Sequence, residues 1–192
     1  MKFSNLLDEK SLEMIRLLSE NGRSTFVELG KLLNLSHVAI RNRYKNLEEN
    51  QLVQIRAEVN SKKIPLELVL FLIESSPKVS RKELFETYSS CPRVIFCASL
   101  IGEYDFMVLA YSENRETLES LMSTRFLKEE AGVRHSSTFI LGSYLFPSFL
   151  PINVPNSDTD EYLTPCKLNC NECSKYKDKL CIGCPETKWY KL

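Results

Sequence analysis

The sequence predicts an α+β chain in which helices come first, a mixed αβ segment follows and a cysteine-rich tail ends the chain. Residues 8–50 carry apolar side chains three or four positions apart, the spacing of amphipathic helices. From about 66 to 146, short apolar runs and two helical stretches alternate in the order β-α-β-β-α-β. Five of the seven cysteines then follow residue 165. We therefore divide the chain into domains at 1–60 and 61–146, a linker at 147–165 and a tail at 166–192.

The first segment is predicted to form three helices followed by a wing. Each helix begins at a residue whose side chain can accept a hydrogen bond from the first turn: Asp8, Thr25 and Ser36. The apolar stripe and the stop residues end the helices near 21, 33 and 50. The third helix follows the second after a short turn, and Asn50 can take the left-handed cap. Residues 51–59 alternate apolar and polar side chains, which predicts a hairpin or a pair of wing strands.

The second segment is predicted to fold as a ferredoxin-like βαββαβ domain. Its strands are expected at 66–73, 93–102, 103–111 and 133–146, and its helices at 80–90 and 113–127. Two of the strands are apolar on both faces, as the runs at 69–73 and 106–109 show. Helices cover only one face of such a sheet, so we expect the other face to pack against a second subunit. Residues 147–165 contain four prolines and are predicted to be an extended linker.

The composition is that of a globular protein with no excess of either charge. The chain is 43% hydrophobic and 26% charged, and its 25 basic residues balance its 25 acidic residues. That balance excludes a protein that holds nucleic acid by bulk positive charge alone, although it leaves room for a local basic face. The sequence has no apolar run long enough to span a membrane and no signal-peptide pattern at its start. We therefore expect a cytoplasmic protein without a membrane partner.

The third predicted helix has the side chains of a DNA-recognition helix. At 100° per residue, Ile40, Tyr44 and Leu47 form the inner face of the helix. We expect Arg41 and Asn42 to contact base edges in the major groove. The other candidate DNA-binding residues would contact phosphates or flank the reading face: Ser36, His37, Val38, Arg43 and Lys45. A solvated helix face without a ligand is the alternative interpretation of the same pattern.

A family resemblance supports the DNA-binding interpretation. The stretch LSENGRSTFVELGKLLNLSHVAIRNRYKNLEENQLV resembles the winged helix-turn-helix of the Lrp/AsnC (feast/famine) regulators. The second segment is similar to the RAM domain of that family, the ligand-sensing part, on the motif GEYDF at 102–106 and the later GVRHSSTFIL. Two features depart from the family pattern: Asn50-Gln51 stands where a glycine usually ends the third helix, and the tail is additional.

The resemblance implies an assembly and a second site. Family members pair their sheets, so it implies a homodimer on double-stranded DNA that can assemble into higher oligomers. It places Gly102, Tyr104 and Asp105 near an effector pocket at the contact between dimers. Asp105 could then accept hydrogen bonds from the ammonium group of an amino-acid effector, and Gly102 would let a backbone approach closely. The alternative for Asp105 is a structural cap at the turn between strands.

The tail has the cysteine spacing of a metal site. Two C-x2-C pairs lie close together, and thiolates so spaced can surround one ion: Cys170, Cys173, Cys181 and Cys184. The tail has little apolar content, and a bound metal would supply the missing folding energy. Structural zinc is the first interpretation; an iron–sulfur cluster and a thiol redox switch are the alternatives. Cys166 is a fifth thiol, either a substitute ligand or a switch. Cys91 and Cys97 are predicted to be small core residues.

Taken together, these features predict a dimeric, sequence-specific DNA-binding regulator that is not an enzyme. A small effector, or the metal or redox state of the tail, would shift its affinity for DNA. Two alternatives remain. Some relatives with this architecture are sirohaem decarboxylases, although the second segment is not enriched in the basic or histidine side chains that such a site needs. A dedicated metal or redox sensor without a small-molecule effector is the other.

Overall fold

The computed structural model describes residues 7–123, 127, 132–143, 147–154 and 159–191. The chain forms two compact units, Met1–Ala57 and Glu58–Leu192. In the described residues, no helix combines the length and the apolar character needed to cross a membrane.

The first unit is a bundle of three helices, as predicted. Helices α1 (Glu9–Glu20), α2 (Phe26–Leu33) and α3 (His37–Glu49) begin at the predicted capping residues. Thr25 and Glu28 form a complete capping box, in which each side chain bonds the other residue's backbone N–H. Because each cap satisfies donors that the first turn leaves unpaired, the three helix starts were readable from sequence.

The core of this unit comes from the apolar stripes of all three helices. Its buried side chains are Leu7, Met14, Leu18, Leu29, Leu33, Ile40 and Leu47. The turn from α2 to α3 is tight, and Asn34 takes the left-handed conformation with φ of 54°. Gly30 permits this turn, because a Cβ there would lie 2.6 Å from the carbonyl oxygen of Leu35. The turn thus lets α3 begin directly after α2 and pack in the same bundle.

The prediction of a wing at 51–59 is wrong for this chain. Residues 51–58 form no strand pair, and strand β1 (Val59–Asn60) pairs instead with β6 (Phe149–Leu150). The segment QLVQIRAEV has no Gly, Asn, Asp or Pro to make a hairpin turn, so its alternation cannot fold back on itself. The left-handed residue after α3 is Gln51, with φ of 55°, rather than Asn50. The described residues of the first unit, 7–57, therefore form a helix-turn-helix bundle that has no wing.

The second unit has the predicted ferredoxin-like sheet. Its strands are β2 (Glu67–Ser75), β3 (Val94–Ser99), β4 (Phe106–Ser112) and β5 (Val133–Ile140). The sheet order is β3-β4-β2-β5, and every neighbouring pair is antiparallel. Strand β5 ends earlier than predicted, and the end of its predicted span, 144–146, lies outside the described residues.

Helices α4 (Arg81–Ser89) and α5 (Arg115–Ser123) cover one face of this sheet. That face holds the main core, which includes Val69, Phe71, Ile73, Leu84, Tyr88, Phe106, Val108 and Leu118. The end of the predicted second helix, at 124–126, lies outside the described residues. The opposite face is covered at one end by the chain's own Leu150, which packs with Leu68 and Tyr111. The rest of that face, with Phe96 and Phe139 about half exposed, is not covered by the described residues.

The linker and the tail belong to the same compact unit as the sheet. The Tyr111 hydroxyl donates to the carbonyl of Asn153 over 3.0 Å, and the Asn153 amide donates to the carbonyl of Pro92 over 3.3 Å. The described residues of the tail form one turn of 3-10 helix (Cys170–Glu172) and a short helix α6 (Ser174–Lys177). Where the sequence suggested a separate module, the tail is instead attached to the αβ domain.

Candidate functional site

The outer face of α3 carries the predicted base-reading side chains in an exposed position. Arg41 and Asn42 are both exposed, while Ile40 and Leu47 on the inner face are buried in the helix bundle. The other exposed candidates on or beside this face are Ser36, His37, Val38 and Lys45. Lys45 pairs with Glu49 over 3.5 Å at the far end of the helix. The face presents hydrogen-bond donors and one apolar side chain, a set that suits base edges and the thymine methyl group.

Two predicted phosphate contacts have structural roles in this unit. The Ser36 hydroxyl accepts from the backbone N–H of Ala39 over 3.2 Å as the N-cap of α3. The Arg43 guanidinium donates to the Asp8 carboxylate over 2.6 Å and to the Ser11 hydroxyl over 2.8 Å. Its hydrogen bond lowers the pKa of Asp8 to about 2. Arg43 therefore joins α3 to the start of α1, and its predicted contact with a phosphate stays a prediction.

The predicted effector loop lies between β3 and β4, and Asp105 has partners within the chain. Its carboxylate accepts from the Ser75 backbone N–H over 2.8 Å and from the Ser75 hydroxyl, and it forms an ion pair with Arg81. The bonds from Ser75, with the nearby Arg81 charge, lower the pKa of the Asp105 carboxyl. These contacts favour the structural-cap interpretation of Asp105 over a carboxylate held free for an effector.

Tyr104, in the same loop, has its neighbours on β5. Its hydroxyl is 2.8 Å from the Ser137 hydroxyl, and its ring stacks on His135 at a centroid distance of 6.2 Å. A Cβ at Gly102 would meet nothing within 4 Å in this chain, and the predicted close approach of an effector at this position stays a prediction. The loop thus offers one aromatic hydroxyl beside a histidine, and Ile101 of the same loop is exposed.

The cysteines of the tail line one cavity of about 70 Å³. All five predicted metal ligands lie on its wall: Cys166, Cys170, Cys173, Cys181 and Cys184. A sixth thiol comes from the αβ domain, where Cys91 precedes β3. All of these thiols are free of disulfide bonds. As placed, and within the described residues, no three His, Cys, Asp or Glu side chains are grouped closely enough to hold a metal ion.

The protonation of these thiols bears on a redox role. Burial raises the pKa of the Cys184 thiol to about 12 and that of Cys91 to about 11. Burial also raises the pKa of Cys170. Since the thiolate is the reactive form, such thiols are poor nucleophiles at neutral pH unless a metal displaces their protons. The surroundings of Cys91, Cys170 and Cys184 therefore disfavour the simple thiol switch.

A buried arginine attaches the tail to the αβ domain beside this cavity. Arg93 is 3% exposed, and it bonds both carboxylate oxygens of Glu113 over 3.0 Å. The same guanidinium donates to the carbonyl of Gly183 over 2.7 Å, and Tyr190 donates to Glu113 over 2.9 Å. Gly183 lies inside the second C-x2-C pair, so this bond ties the cysteine turn to the domain.

Family models cover both folded units. An AsnC-type helix-turn-helix domain matches residues 7–48, and an Lrp/AsnC ligand-binding domain matches residues 68–147. The chain is a transcriptional regulator of the Lrp/AsnC type. Neither model extends into residues 148–192, so the tail is additional to both matched domains.

The chain is also similar in sequence to named transcriptional regulators. The chain is 26% identical over 141 residues to the HTH-type transcriptional regulator LrpA of Pyrococcus abyssi, covering 71% of this chain and 97% of that protein. It is 29% identical over 119 residues to LrpC of Bacillus subtilis, covering 61% and 82%.

Solved structures share the fold. The transcriptional regulator NMB0573 of Neisseria meningitidis, solved with L-Met, has a TM-score of 0.63 at 23% identity and covers 73% of this chain and 93% of its own. AsnC of E. coli has a TM-score of 0.61 at 15% identity, covering 73% and 95%.

Sequence reasoning missed two residues of the thiol-lined cavity. Cys91 was predicted to be a small core residue; it packs against the sheet core and also lines the cavity. Arg93 carried no signal beyond its place before an apolar strand. The proline that precedes it, in the run Cys91-Pro92-Arg93, marks a turn but does not indicate what the turn faces.

Proposed function

We propose that this Lrp/AsnC-type regulator acts in the cytoplasm as a homodimer that binds a specific DNA sequence through α3. The observation that carries this proposal is the exposed face with Arg41 and Asn42, held in place by the buried Ile40 and Leu47. Two such helices in a dimer would contact half-sites about one helical turn apart.

The test compares two arginines on the same helix. On an operator isolated by selection from genomic fragments, Arg41→Ala should weaken binding by about 1–3 kcal/mol. Arg43→Ala should instead lower the stability of the helix bundle, because its partners are Asp8 and Ser11. Fluorescence anisotropy titrations and thermal melts of both variants separate the two effects. Equal DNA affinity of Arg41→Ala and the parent protein would refute the assignment of α3.

The dimer is proposed to form through the open face of the sheet. The strand register aligns Phe96 of β3, Leu109 of β4, Leu70 of β2 and Phe139 of β5 in one row across all four strands. Phe96 and Phe139 are about half exposed in the single chain. A row of this kind is costly to leave in water, and pairing two sheets would bury it.

Sedimentation measurements test this surface. Phe139→Asp should dissociate the dimer, whereas Phe85→Asp, an exposed phenylalanine on α4, should leave it intact. A dimer that is unaffected by Phe139→Asp would place the interface elsewhere.

An amino acid is the proposed effector, with the loop at 101–104 as its contact. The neisserial structure was solved with L-Met, and the loop of this chain places Tyr104 beside His135 and Ser137. Ligand binding stabilises the folded state by about 2.7 kcal/mol at a ligand concentration 100 times Kd. L-methionine and the other standard amino acids should therefore be compared by thermal shift, with Tyr104→Phe as the site variant. No shift with any of them would exclude this effector class.

Zinc is the proposed ligand of the tail, held by Cys170, Cys173, Cys181 and Cys184. Support comes from the C-x2-C spacing, from the placement of all four thiols on one cavity wall and from their number, which suits a four-thiolate site. Binding would draw the four sulfurs together and release their protons. Metal analysis of anaerobically purified protein tests this proposal: bound zinc in a colourless protein supports it, whereas iron in a brown protein would replace it with a cluster.

A further inference from the structure

The tail carries a positive charge in a chain that is neutral as a whole. Residues 166–191 contain six lysines and three acidic residues, a net charge of +3, so the rest of the chain has an excess of acidic residues. The ion pairs among the described residues involve none of these six lysines. Their charge is therefore not neutralised by a carboxylate in contact, and a surface of this kind attracts anions.

Two of these lysines lie over aromatic rings. The Lys188 ammonium group is 3.4 Å from the centroid of the Tyr162 ring and 4.8 Å from that of Trp189. The Lys191 ammonium group is 4.5 Å from the centroid of the Tyr176 ring. The Trp189 ring meets both tyrosines edge to face, at centroid distances of 6.0 Å and 6.4 Å. Two ammonium groups and three rings thus form one connected group, which we call the lysine–aromatic patch.

Backbone bonds hold this patch in place while it stays open to solvent. The Trp189 indole N–H donates to the carbonyl of Tyr162 over 3.1 Å. The backbone N–H of Lys188 donates to the carbonyl of Glu161 over 3.0 Å, and that of Lys191 donates over 2.7 Å to a carbonyl within the second C-x2-C pair. Lys188 and Lys191 are exposed, and so is Tyr162. The patch is therefore an ordered surface that a ligand can reach.

An aromatic ring holds an ammonium group without neutralising it. The attraction comes from the quadrupole of the ring, which has no net charge, whereas a carboxylate would cancel the charge of the lysine. The contact also restrains a flexible side chain, so less conformational entropy is lost when a ligand binds. Because an ammonium group has three N–H donors, the donors that point away from the ring can bind an anion. Two such groups on one surface suit phosphate oxygens.

We propose that Lys188 and Lys191 bind phosphate groups of double-stranded DNA, as a contact additional to the one proposed for α3. Most hydrogen bonds between proteins and DNA go to phosphate and sugar, and they give affinity without base preference. The Tyr162 ring is covered by Lys188 and is not free to stack a base, which favours the duplex backbone over a single strand. The proposal rests on the proposed DNA binding of this regulator and adds a contact without base preference.

The salt dependence of DNA binding tests the proposal on the full chain. The probe is a duplex that contains the selected operator and extends past it on both sides, with affinity measured by fluorescence anisotropy over a series of salt concentrations. Each lost phosphate contact lowers the slope of log affinity against log salt by about 0.9. Lys188→Gln combined with Lys191→Gln should therefore lower this slope by about 1.8 per chain. An unchanged slope in this double variant would overturn the proposal.

The matched control removes two positive charges from the same compact unit. Lys82 pairs with Glu86, and Arg115 pairs with Glu119, so both charges are already neutralised within the chain. Lys82→Gln combined with Arg115→Gln should leave the slope unchanged. An equal decrease in the control and in the patch variant would show that only net charge matters, and it would overturn the proposal.

A charge-preserving variant separates a phosphate contact from a structural role. Lys188→Arg combined with Lys191→Arg keeps both charges and their attraction to the rings, so it should keep the slope of the parent protein. Equal losses in the Gln and Arg variants would show that the lysines only support the tail, which would overturn the proposal. An effect of the Gln variant on single-stranded DNA alone would also overturn it.

The parent protein distinguishes failure of this proposal from failure of the proposed function. Operator binding that depends on Arg41, with a slope that the Gln variant leaves unchanged, would overturn the tail contact alone. No binding of the parent protein to any selected duplex would overturn both.

Discussion

The helical unit and the cysteine tail are ordered by different means. Seven buried apolar side chains form one core in the helical unit, among them Met14, Leu29 and Ile40, which have no exposed surface. In the described part of the tail, 166–191, the buried residues include no large aliphatic side chain: they are Cys170, Gly183, Cys184, Pro185 and Thr187. The helical unit can therefore be stable by apolar burial, whereas the tail depends on specific bonds.

This difference indicates where each region is sensitive to change. A distributed core loses part of its stability when one side chain is truncated, because the other contacts remain. A segment held by a few polar bonds loses its attachment when one buried partner is removed, since the other partner is left unsatisfied. Regional hydrogen exchange measured by mass spectrometry follows both units in one experiment.

Replacement of Arg93 is expected to have the largest effect. Arg93→Ala leaves the Glu113 carboxylate without its buried partner and removes the bond to the carbonyl of Gly183, so it should cost about 3–5 kcal/mol. Amides of the tail and of β3 should exchange faster, while those of α1–α3 keep their protection. Arg134→Ala is the control, because its ion pair with Glu74 is largely exposed and should contribute at most about 1 kcal/mol. Unchanged tail protection in Arg93→Ala would show that the tail is held by other contacts.

Truncation of the helical core should give the reverse pattern. Ile40→Ala removes a fully buried side chain and should destabilise the helical unit by about 2–5 kcal/mol. Faster exchange is expected throughout α1–α3, with the tail unaffected. Val38→Ala on the same helix is the control, since Val38 is 51% exposed and its truncation should change stability by about 0.5 kcal/mol or less. If Ile40→Ala also released the tail, the two units would not be energetically separate.

The same contrast explains what the sequence could predict. The helices and the sheet have periodic apolar positions and capping residues, so their type and order follow from local patterns, and the structure confirms them. The prediction of a wing failed because alternating apolar and polar side chains, without turn residues, do not specify a partner strand. The role of Arg43 depends on Asp8, a residue 35 positions away, which no local pattern reports. Cys91 likewise lines the same cavity as the tail cysteines, which lie far from it in sequence. Only the fold brings them together, so no local pattern could predict it.

Substitution of Gly183, which lies between Cys181 and Cys184, is expected to have an intermediate effect on stability. Gly183 has φ of 89°, and a Cβ there would lie 2.5 Å from the carbonyl oxygen of Trp189. Gly183→Ala should cost at least about 1–2 kcal/mol through the positive φ alone, with the clash added, and should loosen 181–191 in hydrogen exchange. Gly102→Ala is the matched control, because its Cβ would meet nothing within 4 Å. Equal exchange in both variants would mean that the turn around Gly183 adapts without loss.

The smallest expected effect lies at the exposed ion pair of the helical unit. Asp8 caps α1 through the Ser11 N–H and pairs with Arg43, and more than half of its side chain is exposed. Asp8→Ala should cost about 0.5–2 kcal/mol, whereas Asp8→Asn keeps the cap and should lose at most about 1 kcal/mol. The bond from Arg43 lowers the pKa of Asp8 from 3.8 to about 2 in the folded state. Its contribution is therefore fully present above pH 4 and is lost as the pH falls towards 2. Thermal melts from pH 6 to pH 2 should show the wild type converging on Asp8→Asn in acid, and a constant difference between them would contradict the ion pair.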